Sequence, residues 1–455
     1  MGSQRRGGFY LNTFFHSVTL DKDKCMGCIN CIKRCPTEAI RVRGGKALIL
    51  SERCIDCGEC IRVCPHHAKK AIYDGLDVLR NFKYTVALPA PALYSQFNNL
   101  EDVEIVLDAL LEVGFDAVYE VAKAAEIVSE ATRRYMARPD VTKPIISSAC
   151  PAVTRLIRVR FPALIEHVLP LNAPVELAAR LAKEEAHQKT GLPHEDIGAI
   201  FISPCPAKVT ASKMPLGTEK SEVSAVVAIS EVYPQLLKYM KADGVSRVSV
   251  QSGKIGVSWA SSSGEAAALL NDNYLAADGI ENVIRVLEDL EDEKFEHLDF
   301  IELNACNAGC IGGVMTVENP YIARTKLKRL RKYMPVSLNH ADPDRMKKEL
   351  NWDTPLEYTP VLKLDDNFQV AIQKMSELEQ IEATLPGLDC GSCGSPTCRA
   401  LAEDVVRGRA RVEECIYKFK EDMSSLVDKM RMLGLAAPAA GQEKEDEDES
   451  HPTRE

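Results

Sequence analysis

No apolar run in this sequence approaches the roughly 18 residues that a membrane-spanning helix needs, so no membrane span is expected. An excess of positive charge is missing too. Lysine and arginine number 56 against 66 acidic residues, and the net charge of -10 excludes general nucleic-acid binding while leaving small molecules and protein partners open. The start lacks the unbroken apolar stretch of a secretory leader: Arg5 and Arg6 are followed by Asn12, Thr13, His16 and Ser17, and the arginine pair resembles a twin-arginine signal only superficially. A cytoplasmic, reducing setting is therefore expected, in which clustered cysteines mean metal or redox chemistry. Tryptophan is nearly absent at 2 residues; cysteine, at 16, is not. The 455 residues allow two or three domains with a sizeable core, and 45% hydrophobic with 27% charged residues is ordinary for a globular chain.

The cysteines fall into blocks. Cys25, Cys28, Cys31 and Cys35 run C-x2-C-x2-C-x3-C before Pro36, and Cys54, Cys57, Cys60 and Cys64 repeat the run before Pro65. This is the bacterial ferredoxin pattern, in which three closely spaced thiolates hold one cubane and the fourth crosses to the other. On that rule Cys25, Cys28, Cys31 and Cys64 hold one 4Fe–4S cluster, and Cys54, Cys57, Cys60 and Cys35 hold a second. Zinc is the alternative for any four thiolates, but zinc sites seldom need a triplet at two-residue spacing, then a fourth Cys-Pro, all repeated.

The last block, Cys390, Cys393, Cys398 and Cys415, lies in Leu385-Pro386-Gly387-Leu388-Asp389-Cys390-Gly391-Ser392-Cys393-Gly394 and beyond. Glycines beside the thiols let backbone amides approach cluster sulfurs. The stretch resembles the small 4Fe–4S domain of several membrane electron-transfer complexes and corrinoid iron–sulfur proteins, with a structural zinc as the alternative.

Cys150, Cys205 and Cys306 each follow a short, mostly apolar run: Pro144–Ala149, Ile200–Pro204 and Phe300–Ala305. Such runs read as buried strands, and helix-like stretches at 155–169, 176–189, 230–242, 265–272 and 281–291 separate them. Strands alternating with helices predict a parallel α/β domain, whose ligands gather beyond the carboxyl ends of the strands. Three such ends would place their thiols around one crevice, with Cys310 as a fourth. The bland alternative is that lone buried cysteines serve as small hydrophobes.

The segments Ser147-Ser148-Ala149-Cys150-Pro151, Ser203-Pro204-Cys205-Pro206-Ala207-Lys208 and Glu302-Leu303-Asn304-Ala305-Cys306-Asn307-Ala308-Gly309-Cys310-Ile311-Gly312-Gly313 resemble the three signature motifs of the iron-only (FeFe) hydrogenases, in order. With the ferredoxin repeat the resemblance spans roughly residues 20–320. It implies that Cys150, Cys205, Cys306 and Cys310 hold the cubane half of an H-cluster. Cys310 would also bridge to a two-iron subsite carrying CO, cyanide and a dithiolate. All 16 cysteines then have a role.

The departures from the family pattern fall on protons. Family members carry a relay cysteine where this chain has Ala149, and an acid, a serine and an outer acid where it has Glu130, Leu169 and Arg133. A general acid–base relay is commonly worth about 10²–10⁴ in rate, so slow turnover is expected. Lys208 is kept, with an ammonium able to donate to a cyanide ligand. Ser203 and Asn304 replace two methionines, and Val175 stands where a glutamine is frequent; polar groups there would shift potential and hydrogen affinity. This pattern is similar to the slow, sensory branch of the family in its form without a PAS domain.

The expected organisation is a dicluster α+β ferredoxin domain at 1–80, an H-cluster domain at 81–380, a small mostly α 4Fe–4S domain at 381–435, and an acidic disordered tail at 436–455. Ile416, Phe419, Met423, Leu426, Met430 and Leu433 recur as a short heptad seam, open to packing on its own domain, to a homodimer or to a partner coiled coil. Expected cofactors are three 4Fe–4S clusters and an H-cluster. Expected partners are H2 and protons, maturation proteins for the two-iron subsite, and a redox protein such as a ferredoxin or a signalling protein. A non-enzymatic iron–sulfur assembly or electron-transfer protein lacking the two-iron subsite is the alternative.

Overall fold

The computed structural model describes residues 15–240, 246–295, 297–340, 350–361 and 363–433; the Arg5–Arg6 pair and the acidic tail lie outside them. The chain divides into two compact units, Met1–Lys363 and Leu364–Glu455. Its strands, in chain order, are β1 (Val18–Leu20), β2 (Ile40–Arg43), β3 (Lys46–Ile49), β4 (Lys69–Ala71), β5 (Tyr84–Pro89), β6 (Ala117–Val118), β7 (Ile145–Ile146), β8 (Ile197–Ser203), β9 (Ala225–Ala228), β10 (Tyr274–Asp278) and β11 (Phe300–Asn304).

The cysteine repeat is also a backbone repeat. Antiparallel pairs β1–β4 and β2–β3 flank it, and each Cys-Pro run ends in the same turn. Glu38 and His67, each three residues past the fourth cysteine of its run, take φ values of 50° and 49°. Ala39 N donates to Cys35 Sγ at 3.2 Å and Ala68 N to Cys64 Sγ at 3.3 Å. Two equal sequence halves thus fold into two equal thiol-holding loops.

Residues 84–304 form two parallel sheets, ordered β6-β5-β8-β9 and β10-β11-β7. Every residue of β8 (Ile-Gly-Ala-Ile-Phe-Ile-Ser) is buried, so helices must cover both faces of its sheet. Val121–Met136 and Pro174–Thr190 cover one face, through Ala124, Val128, Ala178 and Ala182 against Val86 and Leu88. Glu104–Val113 and Ile229–Tyr239 cover the other through Leu107, Leu110, Val232 and Leu236, each at 0% exposure and each contributing about 1.5–3 kcal/mol of burial. The second sheet packs on Pro151–Arg160 and on Val283, Leu287 and Leu290 of Ile280–Glu291. The run before Cys150 is shorter as a strand than its composition suggests. Only Ile145 and Ile146 pair with β11, and Ser147–Ala149 leave the ladder.

The second unit packs the helices Phe368–Thr384 and Cys398–Val406 around Leu364, Leu378, Leu385, Leu401 and Cys415, and the helix Ile416–Met432 follows Cys415. It therefore takes in the helix Phe368–Thr384, ahead of the boundary near 380 drawn from the sequence. Among the described residues no helix is long and apolar enough to cross a membrane.

Candidate functional site

Cys150 caps the helix Pro151–Arg160 and Cys205 the helix Pro206–Lys213; in each, proline at the first turn fixes the turn leaving the strand. Cys306 and Cys310 lie on the loop that leaves β11. That loop is pressed against the others by its glycines. A Cβ on Gly313 would stand 2.2 Å from Pro204 O, and one on Gly309, at φ 86°, 2.5 Å from Ser262 N. Met315 N donates to Pro204 O at 2.9 Å, Ile311 N to Ala260 O at 3.0 Å, and Lys208 Nζ to Ala149 O at 3.0 Å. So β7 and β11 of one sheet and β8 of the other deliver four thiols that feel one another's charge.

Burial is the largest influence on the thiols of Cys205, Cys306 and Cys310. It pushes the Cys205 thiol up to about 12, and raises Cys306 and Cys310 as well, each further opposed by its neighbouring sulfurs. Four half-buried thiols at one point are a poor arrangement as protonated side chains and a good one as ligands to a cationic core, so this donor set fits an iron–sulfur cubane. Burial works against the Lys208 ammonium, yet the pull of Cys310, Cys205 and Cys150 outweighs it and its pKa is raised.

Beside these thiols opens a cavity. Ala149, Val175, Lys208, Asn304 and Cys310 line it, together with two carboxyls that sequence reading passed over, Glu265 and Glu302. Ser147 Oγ donates to Glu265 Oε2 at 2.6 Å. Glu302 accepts from Ser263 N at 3.0 Å, Ala266 N at 2.8 Å and Asn304 Nδ2 at 2.7 Å. Burial raises both acids above the ordinary carboxylate range, and Glu265 is raised further by the charge of Glu302. A signal for one of them was present: Glu302 is a lone charge inside an otherwise apolar strand.

The other candidates fall away from the cavity. Glu130 sits on the outer side of its helix, paired with Arg134 and 3.7 Å from His340. Leu169 is buried in the core, and Arg133 donates to Ala268 O at 2.7 Å. Ser203 folds its hydroxyl into its own turn, donating to Cys205 O at 3.1 Å.

In the N-terminal repeat, Cys25, Cys28, Cys31 and Cys64 line one cavity, and Cys35, Cys54, Cys57 and Cys60 another. Each cavity thus draws its fourth cysteine from the other run. Burial pushes Cys31 up to about 11 and raises Cys35, Cys54, Cys57 and Cys60. The second cavity abuts the four-thiol site: a Cβ on Gly58 would stand 2.7 Å from Val314 and 3.5 Å from Pro206. Arg62 donates to Gly312 O at 2.9 Å, and its charge acts on Cys306. Asp56, fully buried, accepts from Val18 N at 3.0 Å and from Thr210 Oγ1 at 2.9 Å, tying the Cys54 loop to the helix after Cys205. In the C-terminal unit Cys393, Cys398 and Cys415 gather at one small core; Cys415 caps Ile416–Met432, and Asp389 Oδ1 accepts from Cys398 N at 2.6 Å.

A parallel α/β frame with four thiols at its strand ends, preceded by a dicluster domain, defines the class. Residues 83–271 and 261–314 match the family model for the iron only hydrogenase large subunit, C-terminal domain, residues 17–65 a 4Fe–4S dicluster domain, and residues 385–417 an Fe–S cluster family. The chain belongs to the iron-only hydrogenase large-subunit family. It is 27% identical over 212 residues to the periplasmic Fe hydrogenase large subunit of Nitratidesulfovibrio vulgaris, covering 42% of this chain and 50% of that one. It is 23% identical over 397 residues to iron hydrogenase 1 of Clostridium pasteurianum, covering 71% and 69%. A match of 29% over 123 residues to the cytosolic Fe–S cluster assembly factor NAR1 of Coccidioides immitis covers 27% of this chain and 20% of that factor. The chain thus spans half the length of the first of these relatives.

Proposed function

We propose that this protein interconverts H2 with protons and electrons at an H-cluster, slowly, in a cytoplasmic hydrogen-sensing or redox-signalling role. The observation that carries the reading is the meeting of Cys150, Cys205, Cys306 and Cys310 beside a cavity that keeps Lys208 but presents a methyl, Ala149, at the relay position. The four cysteines would hold the cubane, with Cys310 shared with the two-iron subsite. When bound, that subsite would supply the iron chemistry that cleaves and forms H2.

The chain's own residues then have separable tasks. Lys208, anchored on Ala149 O, offers an ammonium to an anionic ligand. Asn304 presents an amide to the cavity while its Nδ2 is committed to Glu302. Glu265, held by Ser147, and Glu302 can each keep a proton at neutral pH beside the site, which makes them a substitute for the missing relay. Electrons would pass through the Cys35, Cys54, Cys57 and Cys60 cluster, adjacent across Gly58 and Pro206, toward the Cys25, Cys28, Cys31 and Cys64 cluster and a redox partner. The Cys390, Cys393, Cys398 and Cys415 cluster would be a further exit, and maturation proteins would deliver the two-iron subsite.

Infrared spectroscopy of anaerobic, matured protein tests the reading. CO and cyanide bands are expected, and Cys310→Ala should remove them. Iron-bound cubanes without such bands would instead favour the assembly or electron-transfer reading, which the partial match to the assembly factor supports.

A further inference from the structure

The helix Ile416–Met432 has no buried residue. Along one stripe Ile416, Phe419, Met423 and Leu426 stand 59%, 52%, 44% and 51% exposed, and Leu433, just beyond, 75%. In heptads, Ile416, Met423 and Met430 take position a and Phe419, Leu426 and Leu433 take position d. The residues flanking the stripe indicate what covers it. Asp422 and Lys429 take g, and Lys420 and Val427 take e. The ion pairs Lys418–Glu421 and Arg431–Asp428 along this helix use neither g residue, and the side chains of Asp422 and Lys429 form no ion pair among the described residues.

In a parallel pair g meets e of the other chain, which would set Asp422 against Val427 and leave the charge unmatched. In an antiparallel pair g meets g, which sets Asp422 against Lys429 of a second copy, twice by symmetry. That same alignment stacks Ile416 on Leu433, Phe419 on Met430 and Met423 on Leu426, so the apolar layers and the charges select one register. We propose that this helix is a self-association surface on which two copies of the chain pair antiparallel. A helix of 17 residues is about 25 Å long. Two of them bury less than the roughly 1,200–2,000 Å² of a standard interface, so the dimer is reversible, with a dissociation constant on the order of micromolar.

Sedimentation velocity of the full anaerobic protein from about 1 to 100 μM tests this. A dimer fraction that rises with concentration is expected. Met423→Glu should abolish it, and Asp422→Lys or Lys429→Asp alone should raise the dissociation constant by about tenfold or more. The double variant D422K/K429D should return to within about threefold of the original, and an equimolar mixture of the two single variants should form a heterodimer. These positions are exposed, and iron content with circular dichroism verifies that each variant is folded. A monomer throughout the range, a dimer indifferent to Met423→Glu, or a charge swap that fails to restore association would each overturn the proposal.

Discussion

At the scale of single residues, the proposed hydrogen chemistry turns on proton handling. Ala149 cannot pass a proton, and Glu130, the acid that would follow it, is turned outward onto Arg134. Restoring the thiol alone with Ala149→Cys should therefore leave hydrogen evolution within about threefold of the original, measured with a reduced dye as donor. Glu265→Gln should cost about 10²-fold, because it removes a carboxyl that lines the cavity and is held by Ser147. The pH profile supplies the sign. The Glu265 pKa is raised, first by burial, so the acid keeps its proton well above the ordinary carboxylate range. H2 oxidation, which needs a proton acceptor, should climb with pH across the neutral range in the native protein, and that limb should be lost in Glu265→Gln. The two ferredoxin-like cysteine runs stand out in the sequence because their spacing is local, whereas Cys150, Cys205 and Cys306 lie far apart and meet only in the fold. Glu265 was not, because a helical glutamate in Gly264–Ala268 carries no sign of the strand it will face until β11 is in place beside it.

At the scale of elements, buried polar ties hold the cover helices and the ferredoxin loops on the sheets. Glu120, just before Val121–Met136, accepts from Tyr94 Oη at 3.1 Å, Ser252 Oγ at 2.6 Å and Gln251 N at 2.6 Å. Glu120→Ala would leave two buried hydroxyls, of Tyr94 and Ser252, and Gln251 N without an acceptor, and should cost about 3 kcal/mol in denaturant unfolding. Burial raises the Glu120 pKa, so its stabilising contribution is full below the unfolded value of about 4.3 and is lost as pH rises through the folded value. Glu120→Gln should accordingly flatten the fall of stability with alkaline pH. Strands and helices around the site were readable from periodicity, whereas the two-residue β7 was not. Its pairing partner β11 is remote in sequence, and Pro144–Ala149 looks like one continuous apolar run.

At the scale of the whole molecule, Glu176 behaves as Glu120 does. Its pKa is raised by burial although Ser221 and Glu222 N donate to it. Together with Glu265 and Glu302 these acids make the folded chain bind more protons than the unfolded one above about pH 4.3, so melting temperature should decline from pH 6 to pH 9. Glu265→Gln should recover part of that loss; an unchanged slope would show that other groups govern it. Domain order was legible from the cysteine blocks alone. The placement of Phe368–Thr384 was not, since its only buried side chain is Leu378 and its neighbours are met only after folding.

The origin of the four central thiols in two different sheets carries one more consequence. A metal core held there, as proposed, would be gripped by β7 and β11 on one flank and by β8 on the other and would act as a keystone between half-built walls. Seating it and closing the two walls become a single cooperative event, so iron starvation should yield a loosened scaffold throughout residues 84–304 rather than a finished shell awaiting its contents.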